Sequence, residues 1–203
     1  MDTFYFGHPL IEAISSHKIN NSFFSENNIP NNKPVIAFLP GSRTQEIKTM
    51  LPIFLSIISD YPNYNFVIAG VSNVDPKLYN QVAYSNLFII YNKTYDLLTN
   101  SFAAIVTSGT ASLECSLFKV PQLVCYKTSF VSFLIGKLFV KIRHISLVNI
   151  ILEKDIIKEL IQDDLNKKNL TYEFNKLCKE EKRLKIIQEY SKIYDLLSVK
   201  DTT

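Results

Sequence analysis

Glycine is scarce in this chain, with five in 203 residues. Cysteine is scarcer, with Cys115, Cys125 and Cys178 only, and the formal net charge is just +3. Each scarcity excludes something. Three scattered cysteines give neither an even disulfide framework nor the ligand spacing of a zinc site. They fit a reducing, cytoplasmic setting in which each is a small apolar residue. A charge of +3 is too weak to argue for nucleic acid without a localised patch. No run reaches the roughly 18 apolar residues of a membrane span. The longest candidate, FVSFLIGKLFVKIRHISLVNIIL, is interrupted by Lys137, Lys141, Arg143 and His144. The opening MDTFYFGHPLIEA has no basic segment ahead of an apolar core, so no signal peptide is expected.

What is present is apolar material, 47% of the residues, enough for a proper core in one large domain or two small ones. It is arranged in short uniform runs. Lys33–Pro40, Asn65–Gly70, Leu87–Tyr91, Ala103–Gly109 and Gln122–Tyr126 read as buried strands. Between them lie helical stretches. TQEIKTMLPIFLSIISDYP carries Ile47, Met50, Leu51, Phe54, Leu55 and Ile58 at three-four spacing, with Pro52 expected to bend or break it. DPKLYNQVAYS, TYDLLTNS and TASLECSLFK read as shorter helices. From Ser129 onward the chain reads as helices, including a charged one from about Tyr172 to Val199. Apolar strands alternating with helices predict an α/β fold, a Rossmann-like doubly wound parallel sheet, here of five strands. The expected division is a junction segment and linker over 1–32, a nucleotide-binding domain over 33–170 and a C-terminal helical segment over 171–203. SHKINNSFFSENNIPNNKP reads as a polar linker or surface loop.

In an open parallel sheet, ligands bind past the carboxyl ends of the strands. Three of the five glycines, Gly41, Gly70 and Gly109, stand at such ends. Gly41, Ser42 and Arg43 form a strand-to-helix turn whose N–H groups, hydroxyl and planar guanidinium suit an anion. Neither GxxxxGK[ST] nor GxGxxG is present, and an ordinary turn with a solvated arginine would look the same. Ser108, Gly109 and Thr110 form a second turn of the same kind. Glu114 follows one helical turn later, placed either to accept hydrogen bonds from a ribose diol or to stabilise the helix dipole. Two phosphate-type turns on one sheet edge point to a nucleotide diphosphate. No Asp-x-Asp motif suggests a metal, and no cofactor is expected.

The segments FGHPL, LPGSRTQEI, VTSGTASLE, VPQLVCYK and ISLVNIIL…KELIQDD occur in this order. As an ordered set, from about Tyr5 to Asn169, they resemble the C-terminal half of lipid-A-disaccharide synthase, a GT-B-type glycosyltransferase. The resemblance implies one half of a GT-B fold. It also implies transfer of 2,3-diacylglucosamine from UDP to 2,3-diacylglucosamine 1-phosphate in lipid A biosynthesis. It puts Gly41, Ser42 and Arg43 at the diphosphate, with Arg43 stabilising the leaving UDP. Ser108, Gly109, Thr110 and Ala111 become the second nucleotide loop, and Glu114 the ribose ligand. Tyr126 and Asn149 fall near the donor, and Gly7 and His8 at the junction of the two halves. The family's N-terminal half, which would carry the acceptor site and general base, has no counterpart in these residues. The expectation is that this chain alone is inactive and that a separate N-terminal half is its partner. Another UDP-sugar glycosyltransferase, an epimerase of the same architecture and a non-catalytic nucleotide-binding fragment remain open alternatives. SFVSFLIGKLFVKIRH, with Lys137, Lys141 and His144 at three-to-four spacing beside Phe130, Phe133, Leu134 and Leu138, reads as a face for an anionic membrane surface or as a core helix with solvated lysines. The expected localisation is cytoplasmic and peripheral on the inner membrane.

Overall fold

A computed structural model describes residues 9–128 and 144–198. Gly7, His8 and most of the SFVSFLIGKLFVKIRH segment, including Gly136, Lys137 and Lys141, lie outside the described residues.

Six strands form one sheet in the order β3-β2-β1-β4-β5-β6. They are β1 (Val35–Leu39), β2 (Asn65–Gly70), β3 (Leu87–Tyr91), β4 (Ala103–Thr107), β5 (Gln122–Tyr126) and β6 (Lys158–Ile161). Every neighbouring pair is parallel. β1, β2 and β4 are buried along their whole length, which is why their sequences are apolar throughout rather than alternating. The expected doubly wound sheet is therefore present, with one correction: among the described residues there are six strands, not five. β6 lies in a stretch read as helical. It is a four-residue edge strand that begins with exposed Lys158 and buries only Leu160 fully, so it lacks the uniform apolar signature of the central strands.

The helices are α1 (Pro9–Ser15), α2 (Phe23–Glu26), α3 (Thr44–Leu55), α4 (Thr94–Thr99), α5 (Thr110–Leu117), α6 (Leu147–Leu152), α7 (Lys167–Leu177) and α8 (Glu180–Leu197). α3 retains Pro52 inside it and ends at Leu55, with a separate tight turn at Ile58–Asp60. The expected helix in DPKLYNQVAYS is reduced to a single turn at Pro76–Leu78. The single charged helix expected over Tyr172–Val199 is two helices, broken at Cys178 and Lys179. Among the described residues, no helix is long and apolar enough to cross a membrane.

One core runs through all of this. Phe38 packs on Phe54 and Phe66 with centroids 5.5 and 5.1 Å apart, and Phe66 meets Phe174 of α7. All four rings are fully buried, each contributing about 1.5–3 kcal/mol of transfer free energy. Tyr190 of α8 is buried too and its hydroxyl accepts from Gln122 Nε2 of β5 at 3.1 Å. The stretch read as a polar linker also joins the core, since Phe23 and Ile29 are buried and Asn65 Nδ2 donates to the Pro30 carbonyl at 2.6 Å. Cys115 and Cys125 are buried, and burial pushes both thiols up, away from nucleophilic use.

Candidate functional site

The strand order reverses between β1 and β4, which are neighbours although two strands intervene in sequence. At such a reversal the loops leave to opposite faces of the sheet and open a crevice beyond the strand ends. A cavity of about 380 Å³ lies there, with Gly41, Ser42 and Arg43 on one wall and Ser108, Gly109, Thr110 and Ala111 on the other. Glu114 lines it as well. Eight residues singled out from the sequence, distributed over two separate turns, thus meet around one space.

The first wall is built by Gly41, whose φ of +107° is readily reached only without a side chain. Arg43 then caps α3 in extended conformation, and its side chain is 84% exposed. The turn's donors are already engaged. The Ser42 and Arg43 amides donate to Glu46 Oε2 at 3.1 and 3.3 Å, and Arg43 Nη1 donates to Glu46 Oε1 at 3.3 Å. Sequence reading passed over Glu46, although an acid three residues after an N-cap is the spacing that lets a side chain return to the cap amide.

The second wall differs. Gly109 caps α5 at φ +150°, and no side chain caps the helix, so its first-turn amides have no such partner. Ser108 is committed elsewhere: its amide donates to the Cys125 carbonyl and its hydroxyl to the Ile145 carbonyl, both at 2.9 Å. Glu114 sits half-buried at the junction with a second cavity of about 410 Å³, which also contains Gly70, Tyr95 and His17. Burial raises the Glu114 pKa, and the hydrogen bond from Tyr95 opposes this in part. Tyr95 is raised in turn, by burial first and then by the neighbouring carboxylate. Its ring packs on Phe118, one helical turn beyond Glu114, at 5.1 Å. His17 lies edge-on to both rings, with Nε2 3.3 Å from Asp96 Oδ1. These contacts join the α1 loop to α4 and α5, and nothing in the local spacing of His17, Tyr95 or Asp96 marks them.

Tyr126 and Asn149 do not line this crevice. Tyr126 ends β5 in register with Ile161. Asn149 is 1% exposed and makes a closed set of bonds. It accepts from the Ile156 and Ile157 amides at 2.9 and 3.1 Å, and donates to the Ile157 carbonyl and Glu159 Oε1, both at 2.9 Å. It borders a larger groove of about 740 Å³ along β6, where Lys158, Lys176, Lys179 and Lys182 also lie. His144, read as part of a basic face, is buried, with Nδ1 3.4 Å from Asp155 Oδ1.

A family model described as Lipid-A-disaccharide synthetase matches residues 1–201. A lipid-A-disaccharide synthase from Sulfurihydrogenibium sp. (strain YO3AOP1) is 34% identical over 209 residues, covering 91% of this chain and 54% of the relative. One from Persephonella marina is 37% identical over 178 residues, covering 82% and 47%. The chain spans about half the length of the curated relatives it matches. Among solved structures, a S. aureus MnaA–UDP co-structure aligns with a TM-score of 0.60 at 16% identity, over 93% of this chain and 49% of that one. CalG4, the calicheamicin glycosyltransferase, aligns with a TM-score of 0.56 at 15% identity, over 80% and 39%. At these identities the structural likeness is one of fold. The match over residues 1–201 carries more: this chain belongs to the lipid-A-disaccharide synthetase family.

Proposed function

We propose that this chain is the donor-binding part of a lipid-A-disaccharide synthase, holding the UDP of UDP-2,3-diacylglucosamine in the crevice between β1 and β4. The observation that carries the reading is the meeting of two glycine turns and Glu114 around that one crevice. The uncapped start of α5 offers amides to the diphosphate. Arg43 adds an exposed charge at the rim, and Glu114 accepts the ribose hydroxyls. As the anomeric C–O bond breaks, negative charge grows on the leaving UDP. Fixed amides and Arg43 stabilise that charge more in the transition state than in the ground state.

Attack by the hydroxyl of 2,3-diacylglucosamine 1-phosphate needs a base on the opposite side of the sugar. The N-terminal half of the family supplies it in this reading, together with the acceptor site. Catalysis then belongs to the two halves together, working at an anionic membrane surface where both lipid substrates reside.

The test is conversion of radiolabelled acceptor by this chain, alone and with a family N-terminal half added in trans or fused ahead of Tyr5. The expected result is no disaccharide from the chain alone and product once the halves are joined. Robust turnover by the 203-residue chain alone would contradict this division of labour.

A further inference from the structure

The turn after β1 already has an anion in it. The Glu46 carboxylate engages the Ser42 amide, the Arg43 amide and the Arg43 guanidinium at 3.1 to 3.3 Å. It fills the hollow that Gly41 leaves open, since a Cβ at that position would lie 2.5 Å from Glu46 Oε2. A capping acid ordinarily returns to the N-cap amide. Glu46 also takes the amide one residue earlier and the guanidinium, donors on the two residues, Ser42 and Arg43, that the family resemblance puts at the diphosphate. All of these residues line one crevice.

The hold is weak. The distances are long for charge-assisted hydrogen bonds, and the Arg43 and Glu46 side chains are 84% and 33% exposed. A phosphate group and a carboxylate cannot share this hollow, because like charges at hydrogen-bonding range repel and compete for the same N–H groups. The carboxylate, partly in water already, is the group free to leave.

We propose that Glu46 is a placeholder anion that holds the donors of the β1 turn in the empty site and swings out to solvent when a phosphate of the nucleotide enters. The proposal rests on the diphosphate reading of the crevice. One displacement releases two amides and a guanidinium together, so the site stays organised when empty and its affinity is set by competition with its own carboxylate. The α5 turn has no such side-chain occupant, and the two walls therefore contribute differently: only the β1 turn exchanges a carboxylate for the ligand.

Isothermal titration of UDP and of inorganic diphosphate into the wild-type chain and Glu46→Gln tests this. Glutamine keeps the length and an acceptor for the amides but loses the competing charge. Both ligands should bind Glu46→Gln about two- to fivefold more tightly, the range expected for removing one exposed charge interaction. In the wild-type chain, the Glu46 carboxylate ¹³C resonance and the Ser42 and Arg43 amide resonances should move on saturation with inorganic diphosphate. Unchanged or weaker binding by folded Glu46→Gln would overturn the proposal. So would a Glu46 resonance that stays fixed at saturation, a measurement that decides the matter even where the variant does not fold. A wild-type chain that binds neither ligand removes the nucleotide reading and this proposal together. One that binds UDP with Glu46 unmoved removes the placeholder alone.

Discussion

A Cβ placed on Gly41 would lie 2.5 Å from Glu46 Oε2 and 2.8 Å from Glu46 Cβ, closer than any unstrained contact. At Gly109 the same addition meets nothing within 4 Å, although φ is +150° there. The two glycines are therefore needed for different reasons, and alanine should separate them. Gly109→Ala costs backbone strain alone, about 1–2 kcal/mol. Gly41→Ala adds a clash with the side chain that organises the turn, and should cost about 1 kcal/mol more. Urea unfolding of both variants measures the difference. Equal losses would mean that Glu46 yields its position freely.

Asn149 should prove a matter of stability rather than affinity. It saturates two amides, a carbonyl and the Glu159 carboxylate while 1% exposed. Asn149→Ala removes the side-chain partner of the Ile156 and Ile157 amides and the Ile157 carbonyl, while Glu159 keeps its bonds from Ile145 and Ser146, at a cost of about 1–3 kcal/mol. The fraction that remains folded should bind UDP as the wild-type chain does. Weakened UDP binding at unchanged stability would instead put Asn149 within reach of the donor, as the family resemblance implies.

Glu114 should trade stability for binding. Burial holds its folded pKa above the ordinary 4.5. Between those two values the folded chain binds more protons than the unfolded one, so the contribution of Glu114 to stability is fully present below 4.5 and is lost as pH rises through the folded pKa. Above its folded pKa the carboxylate is charged, and its burial costs stability. Glu114→Gln should therefore be more stable than the wild-type chain above the folded pKa of Glu114, an advantage that shrinks as pH falls through it. It should lose affinity for UDP while keeping its affinity for inorganic diphosphate, which has no ribose. Equal losses for both ligands would assign Glu114 to the general field of the α5 terminus. The ionisable side chains that share the walls of the two cavities with Glu114 are Arg43, Glu46, Lys93, Tyr95, Asp96 and His17.

Much of this was legible because the central strands are buried on both faces. Such strands are apolar without interruption, and β1, β2, β4 and β5 stand out for that reason. β6 did not, because KELI is short, half polar and begins with an exposed lysine at the sheet edge. The two turns were legible through their glycines, the residues that the backbone there cannot replace. Their electrostatic state was not. Whether an amide is free or occupied depends on where Glu46 turns its carboxylate, and the sequence carries only the spacing that permits it. The Tyr95, His17 and Asp96 contacts were hidden for a different reason. They are made between elements brought together by the sheet, so no window of local sequence contains them. Asn149 shows the opposite case: the family resemblance places it near the donor, and its side-chain partners all lie within the next ten residues.

The central claim is that the β1–β4 crevice binds a nucleoside diphosphate through protein groups alone. Isothermal titration of UDP into this chain with EDTA present tests it most directly, with Arg43→Ala as the comparison. The account predicts a saturable heat with Kd below about a millimolar. It also predicts that Arg43→Ala weakens binding by about 1.5–3 kcal/mol, the worth of hydrogen bonds to a charged group, without lowering the unfolding midpoint appreciably, since the Arg43–Glu46 pair is exposed. No heat at millimolar UDP, or an Arg43→Ala variant that binds as tightly as the wild-type chain, would contradict it.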